Sequence, residues 1–325
     1  MLENKKILVT GGAGFMGSDF IKMVLSEKAF SGEIVNLDLL TYAGNLENLR
    51  EVSNDPRYSF VRGDVCNREL IENLFMHTKF DVIVHFAAET HVDRSIDQPK
   101  TFIETNIVGT YTLLEALRSH KDSYLHLIST DEVYGDLPKE GVFTERSPYA
   151  PSSPYAASKA SADHLAMSYA RTYNLKVTIS HASNNYGPRQ HPEKLIPRMI
   201  ERCLTGEDLT VYGSGSQVRD WLFVRDHSEA IWSILAKGKK GQVYNVGGGH
   251  EMTNLEVIHE IIDKFSSLKG VDPNLYRNRI IHVADRPGHD FRYAMDISKI
   301  CKETGWQPKV GFTEGLMRTI EERVV

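Results

Sequence analysis

Cysteine is scarce in this chain, with Cys66, Cys203 and Cys301 scattered singly through 325 residues. An odd, isolated set of that kind gives neither a disulfide framework nor a thiolate zinc site. Long hydrophobic runs are missing as well, none approaching the roughly 20 residues that cross a bilayer. Basic excess is absent: 38 Lys and Arg stand against 43 Asp and Glu, a formal charge of −5. That balance argues against a general nucleic-acid binder while leaving room for a local basic pocket. The opening residues Met1 to Lys6 run directly into a strand-like segment, with no room for a signal peptide; the expectation is a cytoplasmic protein with no membrane and no nucleic-acid partner. No internal repeat or low-complexity tract occurs. What remains, 41% hydrophobic residues, is enough for one large or two modest cores.

The fold is written in the first third. Ile7-Leu8-Val9-Thr10 reads as a short buried strand, followed at once by Gly11-Gly12-Ala13-Gly14-Phe15-Met16-Gly17 and a helix start near Ser18. A second strand, Ile34 to Asp38, ends in a carboxylate. A glycine loop alone would be weak evidence, because a surface turn can produce one. Strand, glycines, helix, strand and acid in this order are what a dinucleotide site requires. Gly11 and Gly14 allow a tight turn and close approach to a pyrophosphate, Gly17 allows tight helix–strand packing, and the helix N-terminus offers free N–H groups. Asp38 would bind the adenosine ribose hydroxyls and repel a 2′-phosphate, which favours NAD over NADP. Asp64 and Val65, after the strand-like run 58–61, suit the adenine rim. The small residues Ala87 and Ala88 let backbone lie close to the cofactor.

Strand and helix go on alternating to about residue 183, which predicts a Rossmann-like α/β fold: a parallel sheet with helices on both faces. The expected division is a NAD-binding domain over 1–183 and a smaller, interleaved C-terminal substrate domain over 184–325, with about 219–246 returning to the first. Active groups should gather at the C-terminal ends of the strands, where Gly11, Asp38, Thr90 and Thr130 fall.

Two motifs there carry chemistry. Tyr155 and Lys159, four apart, share a helical face. Lys159 could fix the nicotinamide ribose and favour the phenolate of Tyr155, which needs such help because a tyrosine near pKa 10 is a poor base at neutral pH. Thr130 would hold the substrate 4-hydroxyl. Asp131 and Glu132 add two carboxyl groups that a plain dehydrogenase does not need. Once a sugar C4 hydroxyl is oxidised, the C5 proton becomes acidic; one carboxylate can take it while one carboxylic acid protonates the departing C6 hydroxyl. His85 and His91 have no third ligand nearby, so no metal site is expected.

These motifs, with Leu40 to Leu46, His91 to Ile96, Thr105-Asn106, Ser129 to Gly135, Pro192 to Pro197, Arg219-Asp220-Trp221 and Arg286 to Asp290, give the chain a resemblance to the dTDP-glucose 4,6-dehydratases of the extended short-chain dehydrogenase/reductase superfamily, over essentially its whole length. The resemblance implies a 4-keto-6-deoxy sugar product, tightly held NAD regenerated each turnover, a dTDP-glucose or similar sugar-nucleotide substrate, and a homodimer formed through helices near 103–118 and 155–173. It assigns Asp131 as general acid toward the C6 oxygen, Glu132 as base at C5 and Tyr155 as base at the C4 hydroxyl. Around NAD it adds Phe15, Met16, Leu39, Thr41, Gly44, Phe86, Thr90, Thr105 and Asn185. Around the sugar nucleotide it places Asn184, Lys194, Leu195, Thr210, Arg219, Asn254, Arg286 and His289, with Arg219 and Arg286 suited to the diphosphate. Tyr212 stacks near the base or sits in the small domain's core. The chain departs from the pattern at Thr90, Met16, Thr210, Arg189 and His191, changes that touch nucleotide preference more than reaction class. A UDP-glucose dehydratase, a C4 epimerase, a decarboxylase and a non-catalytic sugar-nucleotide sensor are the rival readings.

Overall fold

The computed structural model describes residues 2–324. Its largest sheet has seven strands, all parallel: β1 (Lys6–Thr10), β2 (Glu33–Asp38), β3 (Tyr58–Arg62), β4 (Val82–His85), β5 (Tyr124–Thr130), β6 (Lys176–Ala182) and, much later in the chain, Gln242–Val246. The spatial order places β1 between β4 and β2, β6 beside β5, and Gln242–Val246 at the outer edge against β6. The central strands are apolar because both faces are covered. Side chains alternate as the pleat demands: Leu8, Ile83, Leu125, Leu127 and Val177 enter one core with Leu113, Leu117 and Ala166. Ile7, Val9, Val82, Val84 and Ile128 enter the other, with Phe20, Val24, Ile231 and Leu235.

The order reverses at β1, and the crevice this leaves above the strand ends is where a ligand has room. Helix starts frame it. Phe15–Ser26 follows Gly14, which offers no side chain to its N-terminal N–H groups. Pro154–Tyr173 begins at Ser153, whose hydroxyl accepts the Ala156 N–H at 3.1 Å, with Pro154 set for the first turn. Residues 103–119 are helical throughout, but Ile103–Val108 has π-type geometry and Gly109–Ser119 is α-helical.

Beyond β6 the chain leaves the sheet at β7 (Asn184–Tyr186), passes β8 (Leu209–Tyr212), and reaches β9 (Val218–Phe223). With Gln242–Val246 as β10, the last strands are β11 (Glu251–Thr253) and β12 (Ile280–Val283). β9 lies between β7 and β11, while β8 pairs only with β12. Trp221, Phe223, Ile200, Val257, Ile261, Phe312 and Leu316 form a separate core here. The segment expected to return over 219–246 therefore divides. Residues 219–223 stay with the smaller unit, because β9 bonds to β7 and β11. Helix Val224–Lys237 and β10 go back: Ile231 and Leu235 fill the main core, and β10 extends the main sheet.

Candidate active site

The two units enclose a cleft of about 750 Å³ above the C-terminal ends of the main strands. One wall is built from backbone. Gly11 has φ +70°, and a Cβ on it would fall 2.5 Å from the Ala87 nitrogen, so only glycine lets β1 and β4 close up here. A Cβ on Gly17 would lie 2.5 Å from the Gly11 carbonyl oxygen; its absence brings the helix down onto the loop. Asp38, at the end of β2, is buried and accepts the Ala13 N–H at 2.9 Å and the Leu40 N–H at 2.8 Å. Each carboxylate oxygen keeps a second lone pair for a ribose hydroxyl.

Gly14, Phe15, Met16, Leu39, Thr41, Gly44, Asp64, Val65, Phe86, Ala88, Thr90, Thr105 and Asn185 line the same space. Free N–H groups at the start of a twelve-residue helix, a glycine cradle and an anchored carboxylate fit a dinucleotide, and NAD better than NADP. Asn106 secures the floor. Its amide accepts the Glu89 N–H at 2.8 Å and donates to the Glu89 carbonyl at 3.0 Å and to Ser158 at 2.8 Å, tying the loop after β4 to the helix of Tyr155.

The chemical groups meet at the end of β5. Thr130 ends the strand, its hydroxyl accepts the Glu132 N–H at 3.3 Å, and Asp131–Tyr134 forms one tight turn. That turn puts both carboxyl groups into the cleft with Tyr155 and Lys159. Asp131 is only 2% exposed; its Oδ1 accepts from Thr130 at 3.2 Å and its Oδ2 has no partner. Burial, then the neighbouring Glu132 charge, push its carboxyl well above the ordinary range, against the pull of Arg219. Glu132 is also raised by burial, but Arg286, Arg219 and Lys194 all pull it back. Both carboxyl groups are thus held above the ordinary range, Asp131 the further, with the basic side chains opposing the rise at Glu132.

Tyr155 is buried against Phe102, ring centroids 6.3 Å apart and edge-on. Burial, then the Glu132 charge, raise the phenol above its usual value, with Thr130 opposing. The expected help from Lys159 takes a different form. Its ammonium donates to the Ile128 carbonyl at 2.6 Å, and burial pulls it down to about 8 against the Asp163 carboxylate. Burial and the Glu132 charge thus favour the phenol of Tyr155 over its phenolate.

The substrate wall is less uniform. Asn184, Lys194 and Leu195 line the cleft, and Lys194 donates to the Thr90 carbonyl at 2.8 Å. Thr210, Tyr212, Arg219, Asn254, Arg286 and His289 lie outside its lining, on or beside the smaller unit's strands. Tyr212 donates to Asp93 at 3.1 Å and Arg286 does so at 3.2 Å, so one carboxylate holds both. Arg219 is committed to the carbonyls of Val218, Asp290 and Phe291 and stacks over Tyr293 at 4.4 Å. Its charge reaches Asp131 and Glu132, while its bonds to backbone fix where the guanidinium sits. His289 pairs with Asp285 at 2.6 Å, and Thr210 accepts from Arg202. Tyr212 is 37% exposed, which rules out the core alternative for its ring.

Sequence reasoning missed the group that joins the walls. Arg94 sits 3.8 Å over the Tyr42 ring and pairs with Glu193 at 3.3 Å, while His191 packs edge-on against Tyr42. Arg189, at φ +66°, bonds the Asn48 carbonyl and Glu51 on one side and Glu322 on the other. The signal for Tyr42, Arg189, His191 and Glu193 was their position in the loops at 42–45 and 189–194, and for Arg94 its place in the His91–Ile96 motif; their pairing depends on the two units meeting. His85 is buried between Thr10 at 2.7 Å and Thr110 at 3.2 Å, its pKa pulled down to about 3 by burial: a neutral core histidine. No group of metal-ligating side chains occurs among the described residues.

A family model described as GDP-mannose 4,6 dehydratase matches residues 8–319. The dTDP-glucose 4,6-dehydratase of Escherichia coli is 49% identical over 97% of this chain and 92% of its own length. The crystal structure of the dTDP-glucose 4,6-dehydratase of Streptomyces venezuelae with NAD bound superposes with a TM-score of 0.92 at 46% identity, covering 98% of this chain and 96% of that one. The dTDP-glucose 4,6-dehydratase of Bacillus anthracis in complex with NAD gives a TM-score of 0.88 at 46% identity, with 98% and 96% covered.

Proposed function

The chain belongs to the dTDP-glucose 4,6-dehydratase family, and from that membership we propose that it converts dTDP-glucose to dTDP-4-keto-6-deoxyglucose and water with NAD as a retained cofactor. The observation that carries the reading is the carboxyl pair at the end of β5: Asp131, buried with Oδ2 unpartnered, beside a Glu132 surrounded by Arg219, Arg286 and Lys194. An epimerase has no use for a second acid there.

NAD, when bound, supplies the acceptor for the hydrogen that leaves C4 and the donor for the hydrogen that returns to C6. The protein does the rest. Tyr155 takes the C4 hydroxyl proton, steadied by Thr130, while Lys159 supplies the positive charge that makes its phenolate attainable. Glu132 removes the C5 proton, acidified by the C4 ketone. Asp131, held as the acid by burial and by its neighbour, protonates the C6 oxygen as it departs as water. C5 is reprotonated after C6 is reduced, so one C5 hydrogen in the product comes from exchangeable positions. Asp131 and Glu132 thus divide one elimination between them, and the cofactor ends as it began.

Lys194, Arg286 and Tyr212 hold the nucleotide end in this reading, with Asp93 orienting the last two. A homodimer is part of the proposal: Ile103, Val108 and Tyr111 are 51%, 41% and 43% exposed on adjoining turns of one helical stretch, an apolar face that a second copy would cover. No helix among the described residues is long and apolar enough to cross a membrane, and action in the cytoplasm, where both charged small molecules are free, belongs to the same reading.

The test is mass spectrometry of purified protein with dTDP-glucose in deuterated buffer. The expected product is substrate less one water, carrying one solvent deuterium at C5, with no net reduction of cofactor. Recovery of a stereoisomer of unchanged mass would point to epimerisation, and faster conversion of UDP-glucose would overturn the base assignment.

A further inference from the structure

Bonds cross the cleft between the two units in two places. On the substrate side, Lys194 reaches the Thr90 carbonyl and Arg94 pairs with Glu193. On the cofactor side the crossing is made by Arg189, which the mechanism does not use. Arg189 lies in the loop after β7, and all four of its N–H groups that point inward are engaged. Nη1 donates to the Asn48 carbonyl at 2.7 Å and Nη2 bonds Glu51. Nε pairs with Glu322 at 3.7 Å, and the backbone N–H donates to the same carboxylate at 3.3 Å.

Both lips that Arg189 joins are anchored. Asn48 and Glu51 belong to the 3₁₀ turn Leu46–Val52. The Asn48 amide donates to the Ala13 carbonyl at 2.9 Å, and the Asn45 N–H donates to the same oxygen at 3.0 Å. The turn thus braces the glycine loop one residue before Gly14, where the bare helix start would meet a diphosphate. On the other lip, Glu322 and Arg323 lie in the last turn of the helix Phe312–Val324, whose Phe312, Leu316 and Ile320 enter the smaller unit's core. Arg323 donates to the Gln190 carbonyl, and the buried Gln190 amide donates to the Asn185 carbonyl at 2.8 Å. Asn48, Arg189, Gln190, Glu322 and Arg323 all line the cleft. The backbone at Arg189 has φ +66°, a conformation that suits glycine better than a residue with a Cβ. What arginine adds there is a side chain long enough to span the gap.

We propose that Arg189 is a clasp that retains the cofactor: it ties the glycine-loop lip to the smaller unit, and its bonds to Asn48 and Glu51 must break before NAD enters or leaves. The proposal rests on the retained NAD of the dehydratase reading and deepens it. The clasp slows exchange by closure, without a bond of its own to the cofactor. A guanidinium is suited to this work, because its planar fork serves a carbonyl and a carboxylate on one lip while Nε faces a second carboxylate on the other.

The test is the exchange of labelled NAD from the loaded protein into excess unlabelled NAD, followed by filter binding. It compares the wild type, Arg189→Gly, Glu51→Gln and the double variant, with melting temperature alongside. Glycine fits the backbone at 189, so the clasp is removed without adding strain. Exchange in Arg189→Gly is expected to be about 3–30-fold faster. Glu51→Gln alone should speed it less, and should add nothing once Arg189 is gone. Added salt should speed exchange in the wild type more than in Arg189→Gly, a difference that altered packing would not give. Equal rates in all four proteins, or a Glu51→Gln effect that persists without Arg189, would overturn the proposal. If Arg189→Gly does not fold, Glu51→Gln decides alone, since its side chain is 63% exposed: faster exchange supports the clasp and an unchanged rate overturns it. Turnover of dTDP-glucose by the wild type is measured separately. Its failure alongside slow, Arg189-dependent exchange would sink the dehydratase reading and leave the clasp standing, whereas a wild type that holds no NAD would overturn the clasp.

Discussion

The two walls of the cleft are made of different material. The cofactor wall is backbone: Gly11 at φ +70°, the bare N-terminus after Gly14, and Asp38 pinned by two N–H groups. The substrate wall is long side chains from distant segments, with Lys194 on the Thr90 carbonyl and Arg189 bridging Asn48 and Glu322, and with Tyr212 and Arg286 tied to Asp93 outside the lining. A wall of backbone is rigid before the ligand arrives and fails abruptly when altered. A wall of side chains is held by exchangeable pairs and should fail by degrees. The carboxyl pair sits where the walls meet, fixed by a backbone turn and tuned by side-chain charges from across the cleft.

The largest effect should come at that junction. Asp131→Asn is expected to lower dehydration by about 10²–10⁴-fold, the range of a positioned general acid, while C4 oxidation continues. Mass spectrometry should then detect substrate lacking a pair of hydrogens and little product lacking water. The same variant should be more stable. A buried carboxyl whose folded-state value is raised gives stability that is complete below its unfolded value and lost as pH rises through the folded one. At neutral pH the amide escapes that loss, so its melting temperature should exceed the wild type's, and the gap should close toward pH 4.

Next comes the backbone wall. Gly11→Ala puts a Cβ 2.5 Å from the Ala87 nitrogen in a left-handed conformation, and should cost on the order of 1–3 kcal/mol in strain. Loss of copurifying NAD, read by absorbance after gel filtration, together with a lower melting temperature, is the expected outcome. Asp93→Asn tests the other wall and should be mild. A partly exposed ion pair contributes about 0.2–1 kcal/mol, so KM for the sugar nucleotide should rise only about 2–5-fold with kcat unchanged. An Asp93 variant that failed as abruptly as the Gly11 one would erase the contrast between the walls.

The same contrast explains what could be read from sequence. The glycine loop, Asp38, Tyr155 and Lys159 were legible because their geometry is local: a run of seven residues, a strand end, a spacing of four on a helix. The succession of β1 to β6 along the chain, and their parallel pairing, followed from alternation; their spatial order did not. The destination of residues 219–223 did not, since a short apolar strand pairs with whichever edge is free, and β7 and β11 provided one. Arg219 suits a diphosphate by type, but its bonds to three carbonyls, which fix the guanidinium in place, could not be read from the sequence. The pairing of Ser129, Asp163 and His181 was illegible because it needs β5, β6 and the helix after Pro154 to be side by side. Lys159 aimed at Ile128 was equally hidden: a charge's range can be guessed from sequence, but not the bond that holds it.

If Asp131 and Glu132 divide the elimination as proposed, these adjacent carboxyl groups hold different protonation states at neutral pH. Infrared spectroscopy of the purified protein tests it, through the carbonyl stretch of a buried carboxylic acid. The band should be present at neutral pH, vanish in Asp131→Asn and persist in Glu132→Gln. A spectrum without the band, or one that loses it only when Glu132 is replaced, would contradict the assignment of acid and base.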